Sequence, residues 1–476
     1  MNKSKEKNEN QNDKSARTHE ITKVIFKYIL TFFIVIIIFV GALTLSSTFP
    51  QEWIQKNTEQ SVEELYKEGI PSVILGMYFD SASDTLMINA PYSIDPSKPL
   101  ESAMLVRVNY TPGKEQTYYQ DTINIDNIQF NKGYNAKEQL KHTVFDKNIK
   151  DTYEYARYWH GYISIIRPLL IFFSFDEIRK ILVSVFAFLA MILMMVLYKK
   201  VSFKYCFVIL LALLASEYFF MGFNLQGTFT FIIAMIASIV ICVRFEKIKN
   251  IGLYFMVIGM VTCYFDLLTH PIITLGIPML IYLLLKQEKE NLSLKESIKF
   301  IISNTILWGI GWITVNIAKW IIVDILYHRD LIHKSLLQFY HRSQRDYSST
   351  LTWYSGLRAN ILYSKENTIT YFAILAIYFT GYLIKNYKEI HINIKEAFPY
   401  LIISLMPIAW LIVMRNHTLS HMYFTWRMLI VFYIAIGIFL FKLFGTKNKT
   451  NEVEKLKEES NSKKEDTKDD MKILEK

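Results

Sequence analysis

Apolar residues fall into long blocks separated by short polar connections and two long ones, and these blocks set the expected elements. Charge-free runs such as Ile29–Ala42 and Ile181–Leu197 approach or reach the length of a membrane-crossing helix. The blocks predict about ten transmembrane helices: Val24–Phe49, Ile181–Tyr198, Tyr205–Phe223, Thr228–Val243, Ile251–Leu268, Ile272–Leu285, Phe300–Leu326, Ile369–Ile384, Pro399–Met414 and Met428–Phe444. The expected fold class is an all-α polytopic membrane protein. Residues 1–23 form a polar tail before the first span. A signal peptide is the alternative there, with Ala42 and Ser46–Ser47 as its small-residue end. The apolar core is longer than a leader's, so 24–49 is read as an uncleaved anchor.

The first long polar stretch, 50–180, is large enough for a small domain of mixed α/β character. Strand-like runs (Ala103–Tyr110, Thr122–Phe130) flank the turn signal Thr111–Pro112–Gly113, with helical stretches on either side. Near its end, Tyr162–Phe175 is apolar except for Arg167 and is broken by Pro168. It is too short to span and is expected to lie along or re-enter the membrane interface. Nine further spans occupy 181–445, interrupted by a loop at 327–368, and 446–476 reads as a disordered tail.

Lysine and arginine orient this plan. Lys199, Lys200 and Lys204, then Arg244, Lys247 and Lys249, then Lys286, Lys289, Lys295 and Lys299, then Lys385, Lys388 and Lys395 fill alternate connections. Excess positive charge marks the cytoplasmic side. Both termini are thus expected in the cytoplasm of a multi-pass cell-membrane protein, with 50–180 and 327–368 outside.

Composition narrows the function classes. The chain is 52% hydrophobic and 20% charged, so charge must be segregated from the apolar blocks. With 8 Trp, 30 Tyr and 33 Phe it is too aromatic to stay unfolded. Cys206, Cys242 and Cys263 all sit in apolar segments, which excludes a disulfide scaffold and a zinc ribbon. The net charge of +10 gathers in connections rather than in a patch with interleaved aromatics, so no nucleic-acid partner is expected. No P-loop, GxGxxG, GxSxG or kinase signature is present, and no cofactor or metal is implied.

Ionisable residues at membrane depth need a partner or a task. Glu217, Asp266, His270, Lys319 and Asp324 all fall in the outer halves or at the outer ends of their spans, whereas the inner halves are nearly clean. This predicts a polar cavity opening outward, with snorkelling as the plainer alternative for Lys319 or Arg427. In the first outer loop Asp80 and Asp84 are four apart, a helical spacing that suits a general base or a divalent cation, or simply a capped, solvated loop. Arg157–Tyr–Trp–His160–Gly161, followed by Arg167, offers guanidinium forks for phosphate and ring faces for a sugar, or an aromatic belt at headgroup level. Arg415, His417, His421 and Arg427 cluster in the last outer connection. Thr418 stands where a zinc protease needs glutamate, which favours phosphate binding over metal chemistry. Tyr327–Arg345 adds a basic outer surface with His328, Arg329, His333, Lys334, His341, Arg342 and Arg345, suited to anionic lipid-linked groups or to plain headgroup contact.

Taken together, Asp80/Asp84, Arg157–Tyr–Trp–His–Gly161, Arg167–Pro168, Asp266–Leu–Leu–Thr–His–Pro271, Trp308–Gly–Ile–Gly–Trp312, Lys319–Trp320 and Asn416–His417…His421…Phe424–Thr–Trp–Arg427 resemble a group of bacterial polytopic membrane proteins. Their plan is similar to the GT-C superfamily of glycosyltransferases, from the first span to the last. The resemblance implies transfer of a sugar from a polyprenyl-phosphate-linked donor to a cell-envelope glycan or lipid acceptor at the outer face. An acidic residue of the first outer loop would be the base, which maps onto Asp84 or Asp80. The stretch just after the first span, where many members carry acidic residues, here holds Glu52 as a competing candidate. Arg157, Arg167, Lys319, Arg415 and Arg427 would hold phosphate, His160, His417 and His421 would orient it or the sugar, and Asp266 and His270 would line the cavity. The rival readings are a lipid-linked glycan exporter or flippase, and a non-catalytic envelope assembly protein.

Overall fold

A computed structural model describes residues 2–68, 72–74, 77–79, 81–109, 136–146, 152–343 and 352–446. Asp80, the turn at 111–113, the run 122–130 and the tail beyond 446 lie outside the described residues. The architecture is that of an all-α polytopic membrane protein. Among the described residues, eight helices are long and apolar enough to cross a membrane: Thr18–Ser47, Phe175–Tyr198, Leu225–Lys247, Pro271–Lys289, Leu294–Tyr327, Lys365–Lys385, Ile394–Val413 and Met422–Leu443.

The other two expected spans are shorter helices, Phe203–Ala215 and Ile251–Phe265. At about 1.5 Å per residue each falls short of an apolar layer about 30 Å thick. Both stop at an acidic residue, in two different ways. After Ala215 the chain turns at Glu217 (φ 56°) into the 3₁₀ turn Tyr218–Phe223. After Phe265 the Asp266 carboxylate accepts from the Thr269 N–H at 2.8 Å, a local bond that offers the chain an alternative to another helical turn. Leu268 follows in the left-handed region (φ 66°) and Pro271 opens the next helix.

The polar domain after the first helix is built from helices Gln51–Lys67, Ser81–Tyr92, Pro99–Leu105 and Ala136–Phe145 with two small antiparallel pairs, Ser72–Ile74 with Met77–Phe79 and Arg107–Asn109 with Thr152–Glu154. The expected strand Ala103–Tyr110 is divided. Its first residues end a helix, Val106 turns left-handed (φ 45°), and only Arg107–Asn109 pairs. Arg107 and Arg329 both bridge Glu154, at 3.2 and 3.0 Å, which ties that pair to the later loop.

The domain boundary lies earlier than 180. Glu177 reaches back to the Ser174 N–H at 2.9 Å and starts the long helix at Phe175. The segment expected at the membrane interface is a short helix, Ile163–Leu169, with Tyr162, Ile166, Arg167 and Leu170 buried against protein. Its Arg167 donates to the carbonyls of Phe49, at 2.6 Å, and Pro91, while Ile165 and Phe172 of the same segment stay exposed.

Two apolar cores result. One fills the helix bundle, and the other joins the first helix, the polar domain, and helices Ile251–Phe265 and Leu294–Tyr327. The last two approach very closely. A Cβ on Gly259 would lie 2.1 Å from the Trp308 carbonyl oxygen, and one on Gly311 would lie 2.1 Å from that of Met256, so only hydrogen fits at either position. At the opposite end of the bundle the helix ends are not clean. Lys442 is buried and pairs with the half-buried Glu288 at 2.9 Å and Glu396 at 3.6 Å, an ionic cluster where the sequence predicts nearly clean helix ends.

Candidate functional site

One face of helix Leu294–Tyr327 carries the site. Val315 and Lys319 are one turn apart, as are Trp312, Asn316 and Trp320 in succession. Both rows grip Arg157–Trp159: Trp159 Nε1 donates to the Val315 carbonyl at 2.9 Å, Lys319 Nζ to the Tyr158 carbonyl at 2.6 Å, and Trp320 Nε1 to the Arg157 carbonyl at 3.0 Å. Lys319 is fully buried, and its ammonium also lies 5.6 Å from the Trp159 ring. It fixes the aromatic segment in place and is not directed at a ligand.

A cavity of about 380 Å³ lies against this scaffold, between Trp312, Asn316 and Trp320 on one side and helix Leu331–Ser343 on the other. Arg157, Arg342 and Asp266 all line it. The rest of its lining is mostly apolar, with Asn316, Ser335 and Gln338 among it, and Ile313, Ile317, Leu336 and Phe339 are themselves exposed, so the cavity opens beside surface that hydrocarbon would cover.

The three charged residues keep binding capacity. Arg157 stacks 4.6 Å from the Tyr155 ring and 5.4 Å from Tyr158, and Arg342 lies 6.0 Å from Tyr158. The Nε of each arginine, and Asp266 Oδ2, are buried with no hydrogen-bond partner among the described residues. Buried polar atoms are rarely left unpaired, which makes these three atoms candidates for ligand contact. Asp266 Oδ1 is occupied by Thr269 and by the His270 N–H at 3.4 Å. Burial pushes the Asp266 carboxyl up to about 6, against the pull of the Thr269 bonds. A carboxylate titrating near neutrality with one free oxygen has the properties of a general base.

The histidines around the cavity are neutral. Burial, helped by Lys319, lowers His160 well below its ordinary value, and burial with Arg342 does the same for His417. His421 is pushed down to about 3 by burial and Arg342. His160 Nε2 donates to the Tyr155 carbonyl at 2.8 Å, and His421 Nδ1 lies 3.0 Å from the Tyr423 hydroxyl. His417 bridges Arg342 and the Leu268 carbonyl, and His270 Nε2 donates to the Phe424 carbonyl at 2.8 Å.

The remaining predicted site residues stand elsewhere. Asp84 is fully buried. It pairs with Arg179 at 3.2 Å and accepts from the Leu225 N–H at 2.8 Å, while Arg179 also binds Glu68. These contacts make it a fastener between the polar domain and the bundle. Glu52 is exposed on helix Gln51–Lys67 and does not line the cavity. Arg427 is buried against Glu217, stacks 4.8 Å from Trp426 and donates to the Tyr423 carbonyl at 3.0 Å. Arg415 lies on the short helix Arg415–Ser420, outside the cavity lining.

Two contributors were not singled out beforehand. Arg342 was one cation among many in its loop, and Asn316 was passed over, although an amide in an otherwise apolar helix was a signal. No family model matches the chain, and neither does any curated protein or solved structure.

Proposed function

We propose that the chain is a membrane glycosyltransferase that takes a sugar from a polyprenyl-phosphate-linked donor and passes it to a cell-envelope acceptor at the outer face. The observation that carries this reading is the convergence of two partly unsatisfied guanidinium groups and a carboxylate of raised pKa in one cavity with an apolar, exposed wall. The exposed wall suits the polyprenyl chain. Arg157 and Arg342 suit the phosphate, which gains charge as it leaves. Asp266 Oδ2 takes the proton of the acceptor hydroxyl as its oxygen bonds to the anomeric carbon and the bond from that carbon to the phosphate oxygen breaks. In this reading the base moves from the first outer loop to Asp266, because Asp84 is committed to Arg179.

The Lys442–Glu288–Glu396 cluster at the far end gives the exporter reading its one specific observation, since an exporter needs polar groups there too. One experiment separates the two. The protein is reconstituted in vesicles with a radiolabelled polyprenyl-phosphate sugar and a panel of envelope acceptors. A transferase releases polyprenyl phosphate and labels an acceptor, and Arg157→Gln and Arg342→Gln each reduce that release. Movement of intact donor between leaflets without release would overturn the transferase reading in favour of export.

A further inference from the structure

His417 is buried behind the cavity lining, with both ring nitrogens engaged. Its Nδ1 accepts from Arg342 Nη1 at 2.5 Å, and its Nε2 lies 2.7 Å from the Leu268 carbonyl oxygen. A guanidinium only donates, so Nδ1 is the acceptor and Nε2 carries the proton toward Leu268. Arg342 and Leu268 both line the cavity, from different elements: Arg342 ends helix Leu331–Ser343, and Leu268 belongs to the turn that also carries Asp266. One neutral imidazole therefore links the guanidinium wall to the carboxylate wall.

Leu268 is buried but strained, whereas helix Leu331–Ser343 is lightly held. Leu268 has φ 66°, a left-handed conformation that a leucine adopts only when its surroundings impose it. Helix Leu331–Ser343 buries only Leu331 and Ser335, and it follows His328 and Asp330, also left-handed at φ 52° each. Its first turn is anchored by Asp324, whose carboxylate accepts from the Ile332 N–H at 3.0 Å. Its last turn is anchored from the segment after Met414, by His417 on Arg342 and by Asn416 Nδ2 on the His341 carbonyl at 2.7 Å.

We propose that His417 is a positioning residue: it touches no substrate, but holds Arg342 and the end of helix Leu331–Ser343 at the distance from the Leu268 turn at which the cavity accepts a lipid phosphate. The part of this concerning lipid phosphate rests on the function proposed above. The fastening of the helix stands on geometry alone. Sequence spacing had suggested instead that His417 contacts the phosphate or sugar directly.

Two isosteres separate the ties. Asparagine at 417 places an oxygen near the Nδ1 position and can still accept from Arg342, whereas glutamine places its amide near Nε2 and keeps only the Leu268 bond. Amide hydrogen exchange across residues 331–343, and the affinity for undecaprenyl phosphate in detergent, are measured for wild type, His417→Ala, His417→Asn, His417→Gln, Arg342→Ala and the double variant His417→Ala/Arg342→Ala. Exchange in the other helices and the melting temperature serve as controls for folding. Exchange over 331–343 is expected to rise in His417→Ala and His417→Gln and to stay near wild type in His417→Asn. Affinity is expected to fall about tenfold in His417→Ala, with no further fall from Arg342→Ala to the double variant, as for residues acting through one contact. Unchanged exchange in His417→Ala overturns the proposal, and so does additivity of the two alanine variants. If exchange behaves as expected but wild type does not bind the probe, the lipid-phosphate reading of the cavity fails while the fastening role of His417 survives.

Discussion

Replacing Asp266 with asparagine removes a base while leaving its turn intact. Oδ1 receives the Thr269 N–H at 2.8 Å and the His270 N–H at 3.4 Å, and an amide oxygen at that position accepts both. The loss is confined to Oδ2, which has no partner among the described residues. Burial raises the carboxyl from 3.8 to about 6, so holding it ionised costs the folded state about 3 kcal/mol at about 1.4 kcal/mol per unit. The sign follows from linkage. The folded value lies above the unfolded one, so the penalty is absent below about pH 4, grows as pH rises through about 6, and is constant above that. Asp266→Asn should therefore be more stable than wild type at pH 8, by at most that amount, with the difference vanishing toward pH 4. Transfer from a polyprenyl-phosphate sugar should fall about 10²–10⁴-fold, the usual contribution of a positioned base. The wild-type rate should climb as pH passes about 6 and the residue ionises. Differential scanning fluorimetry at the two pH values and release of labelled polyprenyl phosphate measure the two effects. An asparagine variant that turns over within about threefold of wild type would refute the assignment.

Three other substitutions and conditions probe the framework. Asp84→Asn weakens a buried pair with Arg179 and should cost about 3–5 kcal/mol in a thermal scan, while turnover per folded molecule stays within about twofold, as befits a fastener rather than a base. Gly259→Leu or Gly311→Val forces a Cβ to within 2.1 Å of a facing carbonyl oxygen and should lower stability by at least about 1–3 kcal/mol, read as melting temperature in detergent. His160, His417 and His421 are held neutral, with values below the unfolded 6.5, so the unfolded chain takes up protons that the folded one does not. Stability should be at its plateau above about pH 7 and decline as pH drops below 6.5, and a melting temperature equal at pH 5 and pH 7.5 would count against this.

What could be read from the residues, and what could not, divides by the range of the cause. An apolar block reports a constraint that every residue of it shares, so all ten blocks reappear as helices. The break after Phe265 turns on the Asp266 side chain and the one after Ala215 on the left-handed backbone at Glu217, and a hydropathy window averages such single positions away. Pairings distant in sequence were out of reach altogether. Asp84 looks like a free loop carboxylate until Arg179, far along the chain, is found against it, and Lys319 looks like a phosphate ligand until the Tyr158 carbonyl is seen at its ammonium. Arg157 was legible because its aromatic neighbours travel with it in sequence. Arg342 was not, because its distinction lies in a histidine contributed by another segment.

The breaks that hydropathy misses are also what make the cavity. The chain leaves helix Ile251–Phe265 at Asp266 and turns left-handed at Leu268, both residues line the cavity, and Asp266 Oδ2 is left without a partner among the described residues. His160, left-handed at φ 55°, does the corresponding job on the other wall. It follows the three-point docking of Arg157–Trp159, and the Gly161 N–H then bonds the Tyr264 carbonyl at 2.8 Å, one residue before the helix ends at Phe265. Each such conformation costs roughly 1–3 kcal/mol and persists only where neighbours over-determine it. Here the neighbours stand behind the cavity lining: His417 holds the Leu268 carbonyl, and Tyr155 holds the His160 ring. The strained positions thus adjoin the candidate chemistry, Leu268 two residues from Asp266 and His160 three from Arg157, which is the arrangement expected where backbone geometry is maintained for a ligand rather than for packing.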